Sequence, residues 1–157
     1  MTRFRASDLF ILAALLALTL GTGWLGSRST IPEITGWYAG LAKPSFNPPD
    51  SVFGPVWTAL YVLMAVSAWL VWRAGGRAVL ALFALQLALN ALWTQTFFGW
   101  HALAAAVLVC TLLWLAELAM VLAFARHDRR AAWLNVPLLL WTAYATALSF
   151  TIWRLNG

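Results

Sequence analysis

Three sets of residues in this chain have the types and spacing to hold a flat, apolar molecule. Trp57, Tyr61, Met64 and Ala68 recur at i, i+4, i+7 and i+11. Gln86, Asn90, Trp93 and Phe97 repeat that spacing, and so do Trp141, Ala145, Leu148 and Ile152. On a helix each set makes one face. Any one stripe alone reads as core packing. Together they mix rings, small residues and isolated amides, where a core built only for packing would use more Leu and Ile. Rings beside alanines leave a slot suited to a planar ligand with a few polar contacts. A fourth set lies at 37–57, with Trp37, Tyr38, Phe46 and Phe53 among four prolines, Pro44, Pro48, Pro49 and Pro55. Structureless loops of that length are uncommon and usually functional or disordered. The aromatic content is wrong for a disordered tether, so the segment is expected to fold as a lid.

The remaining reactive groups narrow the chemistry. Gln86 and Asn90 stand one turn apart, and two roles stay open for them, bonding between helices or contact with a ligand. Glu117 is a carboxylate inside an apolar run, about two turns from Arg126. It reads as structural, either protonated and hydrogen-bonded to a neighbour or reaching toward the basic edge. His101 and His127 fall at opposite ends of one span and cannot share a metal, so no metal site is expected. The single cysteine, Cys110, excludes an intrachain disulfide and a cysteine cluster. There is no nucleophile–His–acid set, no glycine-rich phosphate loop and no carboxylate pair, so hydrolysis and phosphoryl transfer have no support.

These residues must be positioned by membrane-spanning helices. The chain has 157 residues, 63% hydrophobic and 10% charged, with a mean hydropathy of +0.81. Soluble domains carry charge at nearly a quarter of their positions. A helical span needs about 20 apolar residues. Uncharged runs at 9–27, 51–72, 78–116 and 131–153 accommodate five, because the third run is long enough for two. The expected fold is an all-α membrane protein, a single domain over 1–157. Its five-helix bundle has spans at about 8–27, 55–73, 78–98, 102–125 and 133–153, with the long loop between the first two covering a pocket. The short turn Phe98-Gly99-Trp100-His101 makes the third and fourth spans antiparallel neighbours. The segments lack the alternation of barrel strands.

The net charge of +5 forms no stripe, so nucleic acid is not an expected partner. Seven basic residues (Arg3, Arg5, Arg73, Arg77, Arg126, Arg129, Arg130) fall on one side and three (Arg28, Lys43, Arg154) on the other. In a bacterial inner membrane this places the N-terminus inside and the long loop outside. Asp8 and the length of the first apolar run favour an uncleaved span over a signal peptide. Trp24, Trp72, Trp100, Trp133 and Trp153 lie near span ends, as an interfacial belt would. Ala81, Ala84, Ala88 and Ala91 form a small-residue seam. Its neighbour is either another helix of the bundle or a second subunit in a homodimer.

The chain also resembles the TspO/MBR family, the tryptophan-rich sensory proteins that include the mitochondrial translocator protein, or peripheral-type benzodiazepine receptor. The resemblance rests on Trp37-Tyr38-x-x-Leu41-x-Lys43-Pro44-x-Phe46-x-Pro48-Pro49 and Phe53-x-Pro55-x-Trp57-x-x-Leu60-Tyr61-x-Leu63-Met64. It continues with Leu89-Asn90-x-x-Trp93, Phe97-Phe98, and Pro137-x-Leu139-x-Trp141-x-x-Tyr144-Ala145-Thr146-x-Leu148 before Trp153-Arg154-Leu155-Asn156. It implies a five-helix bundle that binds porphyrins, haem-pathway intermediates, benzodiazepine- or isoquinoline-type drugs and, in some members, sterols. By position the implied ligand contacts are Tyr38, Trp57, Tyr61, Asn90, Trp93, Trp141 and Ala145. Porphyrin or haem would be the ligand, with no cofactor required, and membrane lipid the surroundings.

The implied role is tetrapyrrole sensing or homeostasis. Two alternatives stay open. One is light-dependent degradation of protoporphyrin IX, for which the resemblance makes Trp57 and Trp141 catalytic, since excited porphyrin makes reactive oxygen and nearby indoles can donate electrons. The other is a transporter or scaffold for tetrapyrrole, sterol or lipid. The chain departs from the family pattern twice. No Tyr stands between Leu148 and Arg154, where the sterol motif wants one, and Ser45 replaces an aromatic residue of the loop.

Overall fold

A computed structural model describes residues 6–157; Arg3 and Arg5, used in the charge count, lie outside them. The described residues are helical with short connections and no strand. The elements are α1 (Ala6–Thr35), α2 (Trp37–Gly40), α3 (Asp50–Arg73), α4 (Leu80–Thr94), α5 (Leu103–Ala125), α6 (Arg129–Leu134) and α7 (Val136–Asn156). A π-helical turn, Gln95–Gly99, extends α4. Counting α6 and α7 as one, five helices are long and apolar enough to cross a membrane. In lipid the backbone must satisfy its own hydrogen bonds, and a helical bundle does that.

Helix boundaries depart from the apolar runs for identifiable reasons. α1 continues past the charge of Arg28 and through Pro32 to Thr35, because a solvated charge ends greasiness without ending helicity. α3 starts at Asp50 after the Pro48-Pro49 pair, five residues before the expected start, and carries Pro55 inside it. The long loop therefore shrinks to 41–49, and Phe53 joins Trp57 on the helix. The fifth span begins earlier, at Arg129, and breaks at Asn135. Pro137 lacks the N–H that would reach the carbonyl of Trp133. The Asn135 side chain fills the break, with Nδ2 donating to the Ala131 carbonyl (3.0 Å) and to Ser67 Oγ of α3.

The helices are held unequally. α5 packs along α4 and α7, α1 along α3, and α6 wedges between α3 and α5. One apolar cluster joins Tyr61, Met64, Val71, Phe83, Met120, Phe124 and Leu138 near the α6 end. A second joins Tyr38, Trp93, Phe97, Cys110, Ala145 and Leu148 at the lid end. α1 contributes only Asp8 and Thr19 to the fully buried set. It is bonded to α3 at Asp8, whose carbonyl accepts Trp69 Nε1 at 2.8 Å, and comes closest to its neighbours at glycine: a Cβ on Gly23 would lie 2.4 Å from the Tyr61 ring, and one on Gly26 would lie 3.3 Å from Thr94 Cγ2. On α4, Ala81, Ala84 and Ala88 are exposed and Ala91 half-buried. The seam thus faces out of the bundle, opposite the buried Phe83, Gln86, Leu87, Asn90 and Trp93.

Candidate ligand-binding site

Two cavities flank a pair of indoles. Trp57 of α3 and Trp93 of α4 lie with ring centroids 6.2 Å apart. On the α1 side is a chamber of about 380 Å³. Its walls include Leu20, Gly23, Ser27 and Ile31 from α1, Phe53, Trp57, Thr58 and Tyr61 from α3, and Trp93 and Phe98 beyond. On the α7 side is a slot of about 30 Å³, lined by Trp57, Trp93, Trp141, Tyr144, Ala145 and Leu148 among others. The chamber falls in the range of small-molecule sites, about 300–1,000 Å³; the slot holds no more than a few atoms.

The rings are placed by helix register and by the π turn. Trp57 and Tyr61, one turn apart, tilt at 32° with centroids 5.7 Å apart. The π turn closes with Trp100 N–H donating to the Gln95 carbonyl at 2.7 Å. Widening the helix there sets Phe97 and Phe98 beside Trp93, at 5.9 and 6.4 Å. Such bulges often sit at functional sites. Gln95 Nε2 also donates to Ser29 Oγ at 2.8 Å, tying the turn to α1.

The lid is latched to α7. Asn156 makes two bonds with the Ala42 backbone, accepting its N–H and donating to its carbonyl, both at 2.9 Å. Tyr144 donates to the Phe46 carbonyl at 2.6 Å. Within the lid, Tyr38 donates to Asn47 Oδ1 at 2.7 Å, and Lys43 Nζ sits 4.6 Å above the Tyr38 ring. Burial, reinforced by the charge of Asp50, pushes the Tyr38 phenol up to about 12. At the α1 end of the lid, Trp37 stacks on His101 at 4.0 Å, and His101 Nε2 lies 3.1 Å from Glu33 Oε2. His101 holds φ +54°, the left-handed conformation that lets the chain turn so sharply into α5.

The expected site residues divide among these features. Trp57 and Trp93 wall both cavities, and Tyr38 lies under the lid against both. Tyr61 lines the chamber alone, while Trp141 and Ala145 line the slot alone. Asn90 lines neither. It is buried behind Tyr61 and accepts the phenol at 2.7 Å. Gln86, also buried, donates to Met64 Sδ at 3.1 Å. Trp93 Nε1 is buried with no hydrogen-bond partner among the described residues, so a wall of both cavities carries a free donor. The sequence reading missed α1 as a wall. Gly23 and Gly26, in the small-residue stretch Gly21-Thr22-Gly23-x-x-Gly26-Ser27, were its signal. Trp24, assigned to the interfacial belt, is exposed and also lines the chamber.

Comparison with known proteins agrees in kind. Residues 13–154 match the model of the TspO/MBR family. The chain is 39% identical over 154 residues to the tryptophan-rich protein TspO of Chlorobaculum tepidum, covering 95% of this chain and 98% of that one. It is 41% identical over 147 residues to the translocator protein of Homo sapiens, covering 90% and 86%. It is 40% identical over 139 residues to the protein CrtK of Rhodobacter capsulatus, covering 83% and 85%.

Proposed function

The chain belongs to the TspO/MBR family, and on that premise we propose that this integral, multi-pass membrane protein binds a planar tetrapyrrole such as protoporphyrin IX. Benzodiazepine- or isoquinoline-type aromatics would compete for the same place. The observation that carries this reading is the 380 Å³ chamber with an indole on its wall, in a protein whose chemistry is otherwise apolar. The macrocycle lies between α1 and α3 and stacks on Trp57. Tyr61, held by Asn90, forms the floor, the Trp93 ring forms the wall beside Trp57, and Tyr38 closes the top. Trp141 and Ala145 act from the slot, by backing Trp57 and by receiving it if it swings. Binding gains its free energy from apolar burial and offset stacking.

In a bacterial inner membrane, the distribution of basic residues favours a lid outside and an N-terminus inside. The outward-facing alanine seam supports a homodimer through α4. Bringing a Trp to Ala88 should then convert dimer to monomer in detergent, as read by light scattering; an unchanged mass contradicts that interface.

The test of the binding reading is a titration of purified protein with protoporphyrin IX in the dark, followed by tryptophan quenching. Saturable quenching at one ligand per chain is expected. Its absence would overturn the reading and turn attention to lipid or sterol. Because Trp57 is both chamber wall and electron-rich, a second reading is light-dependent degradation of the bound porphyrin. That reading requires a discrete product under illumination, lost in Trp57→Phe.

A further inference from the structure

Glu117 is fully buried between α5 and α7, away from both cavities. One carboxyl oxygen meets the hydroxyl of Thr142, itself buried, and the other has no hydrogen-bond partner. No ion pair involves Glu117 among the described residues. An isolated carboxylate in such a place would be a lone buried ion, with a cost far above that of any single contact. The acid form removes that cost. The Thr142 hydroxyl also lies 3.0 Å from the Leu138 carbonyl of its own helix. A carboxylic O–H donating to Thr142 Oγ1, which donates onward to Leu138, therefore leaves only the acid's carbonyl oxygen unpaired.

We infer that Glu117 is a neutral carboxylic acid that sets the rotation of α7, and is thereby a positioning residue for the aromatic site. One turn further along α7, Thr146 Oγ1 lies 3.2 Å from Cys110 Sγ of α5. These two rungs fix one face of α7 against α5. Residue 141 follows from that register, so Trp141 is aimed at the slot, 6.2 Å from Phe53. Tyr144 is likewise brought to the lid carbonyl it holds. The lock acts on the ligand only through this register, and in that respect it rests on the binding reading above.

The experiment pairs infrared spectroscopy with the dark protoporphyrin titration, on wild type, Glu117→Gln, Glu117→Leu and Thr142→Val in detergent. The wild type should show the carbonyl band of a buried carboxylic acid near neutral pH. That band should vanish in Glu117→Gln and shift in Thr142→Val. Gln keeps a donor for Thr142 and should bind porphyrin within about twofold of wild type. Leu, of similar size, and Thr142→Val should each bind about threefold more weakly, the scale of one interhelical hydrogen bond in a membrane protein. If Glu117→Leu fails to fold, Glu117→Gln and Thr142→Val still decide. A wild type without the acid band, or a Thr142→Val that binds as tightly as wild type, overturns the lock. A wild type that keeps the acid band and does not bind protoporphyrin overturns the binding reading alone.

Discussion

The two helices that flank the Trp57–Trp93 pair are built on different principles. α7 is seated by six buried residues, by polar rungs to α5 and by a lid latched at Tyr144 and Asn156. The cavity on its side holds only about 30 Å³. α1 buries only Asp8 and Thr19, is tied near its ends by Trp69 and Arg73 at Asp8 and by Gln95 at Ser29, and comes closest to α3 and α4 at two glycines between those ties; the cavity beside that stretch is more than ten times larger. The difference teaches where a ligand can go. A firmly seated helix makes a template, and a lightly seated one makes room. Regions that open at low cost are those with few buried contacts.

The sharpest way to break this contrast is to deny α1 its close approach. Gly23→Val places branched carbon into the Tyr61 ring. It should destabilise the protein by about 1–3 kcal/mol, the usual range for overpacking, and lower porphyrin affinity as α1 shifts. Thermal unfolding and the dark titration check both. The second comparison sets the two cavities against each other. Trp57→Phe trims the wall they share and should weaken porphyrin binding by about tenfold, while Trp141→Phe and Ala145→Thr, confined to the slot, should change it by about twofold to threefold. Equal losses at all three positions would mean that the ligand spans both cavities.

The lid offers a test that does not depend on ligand. Tyr38→Phe loses the bond to Asn47 and should cost about 1 kcal/mol. It should also change the alkaline limb. With the Tyr38 phenol pushed up to about 12 in the fold and near 10 when unfolded, folding favours its neutral form. That contribution is fully present below pH of about 10 and is lost as pH rises toward 12. Removing the phenol should flatten this part of the stability profile, as followed by denaturation across that pH range.

Much of this was legible in the sequence, because hydropathy and the 3.6-residue period report directly on spans and faces. Five helices and the ring stripes of α3, α4 and α7 follow from them. The helix ends did not follow, since Arg28, Pro32 and Pro55 mark loops by composition yet sit inside helices here. Pro49, at the residue before α3, was the better marker. The division of the site into two cavities was also hidden. It depends on the angle between Trp57 and Trp93 and on how far α1 stands off, and neither leaves a periodic trace. The open choice at Gln86 and Asn90 now has structural partners, Met64 Sδ and the Tyr61 hydroxyl.

The central claim is that a planar ligand occupies the α1 side of Trp57. The most direct measurement is an experimental structure of the protein saturated with protoporphyrin IX in the dark. The account predicts the macrocycle between α1 and α3, stacked on Trp57 and beneath Tyr38, with α1 displaced outward and α7 unmoved. A macrocycle on the α7 side, between Trp141 and Ala145, or one bound outside the bundle, would contradict it.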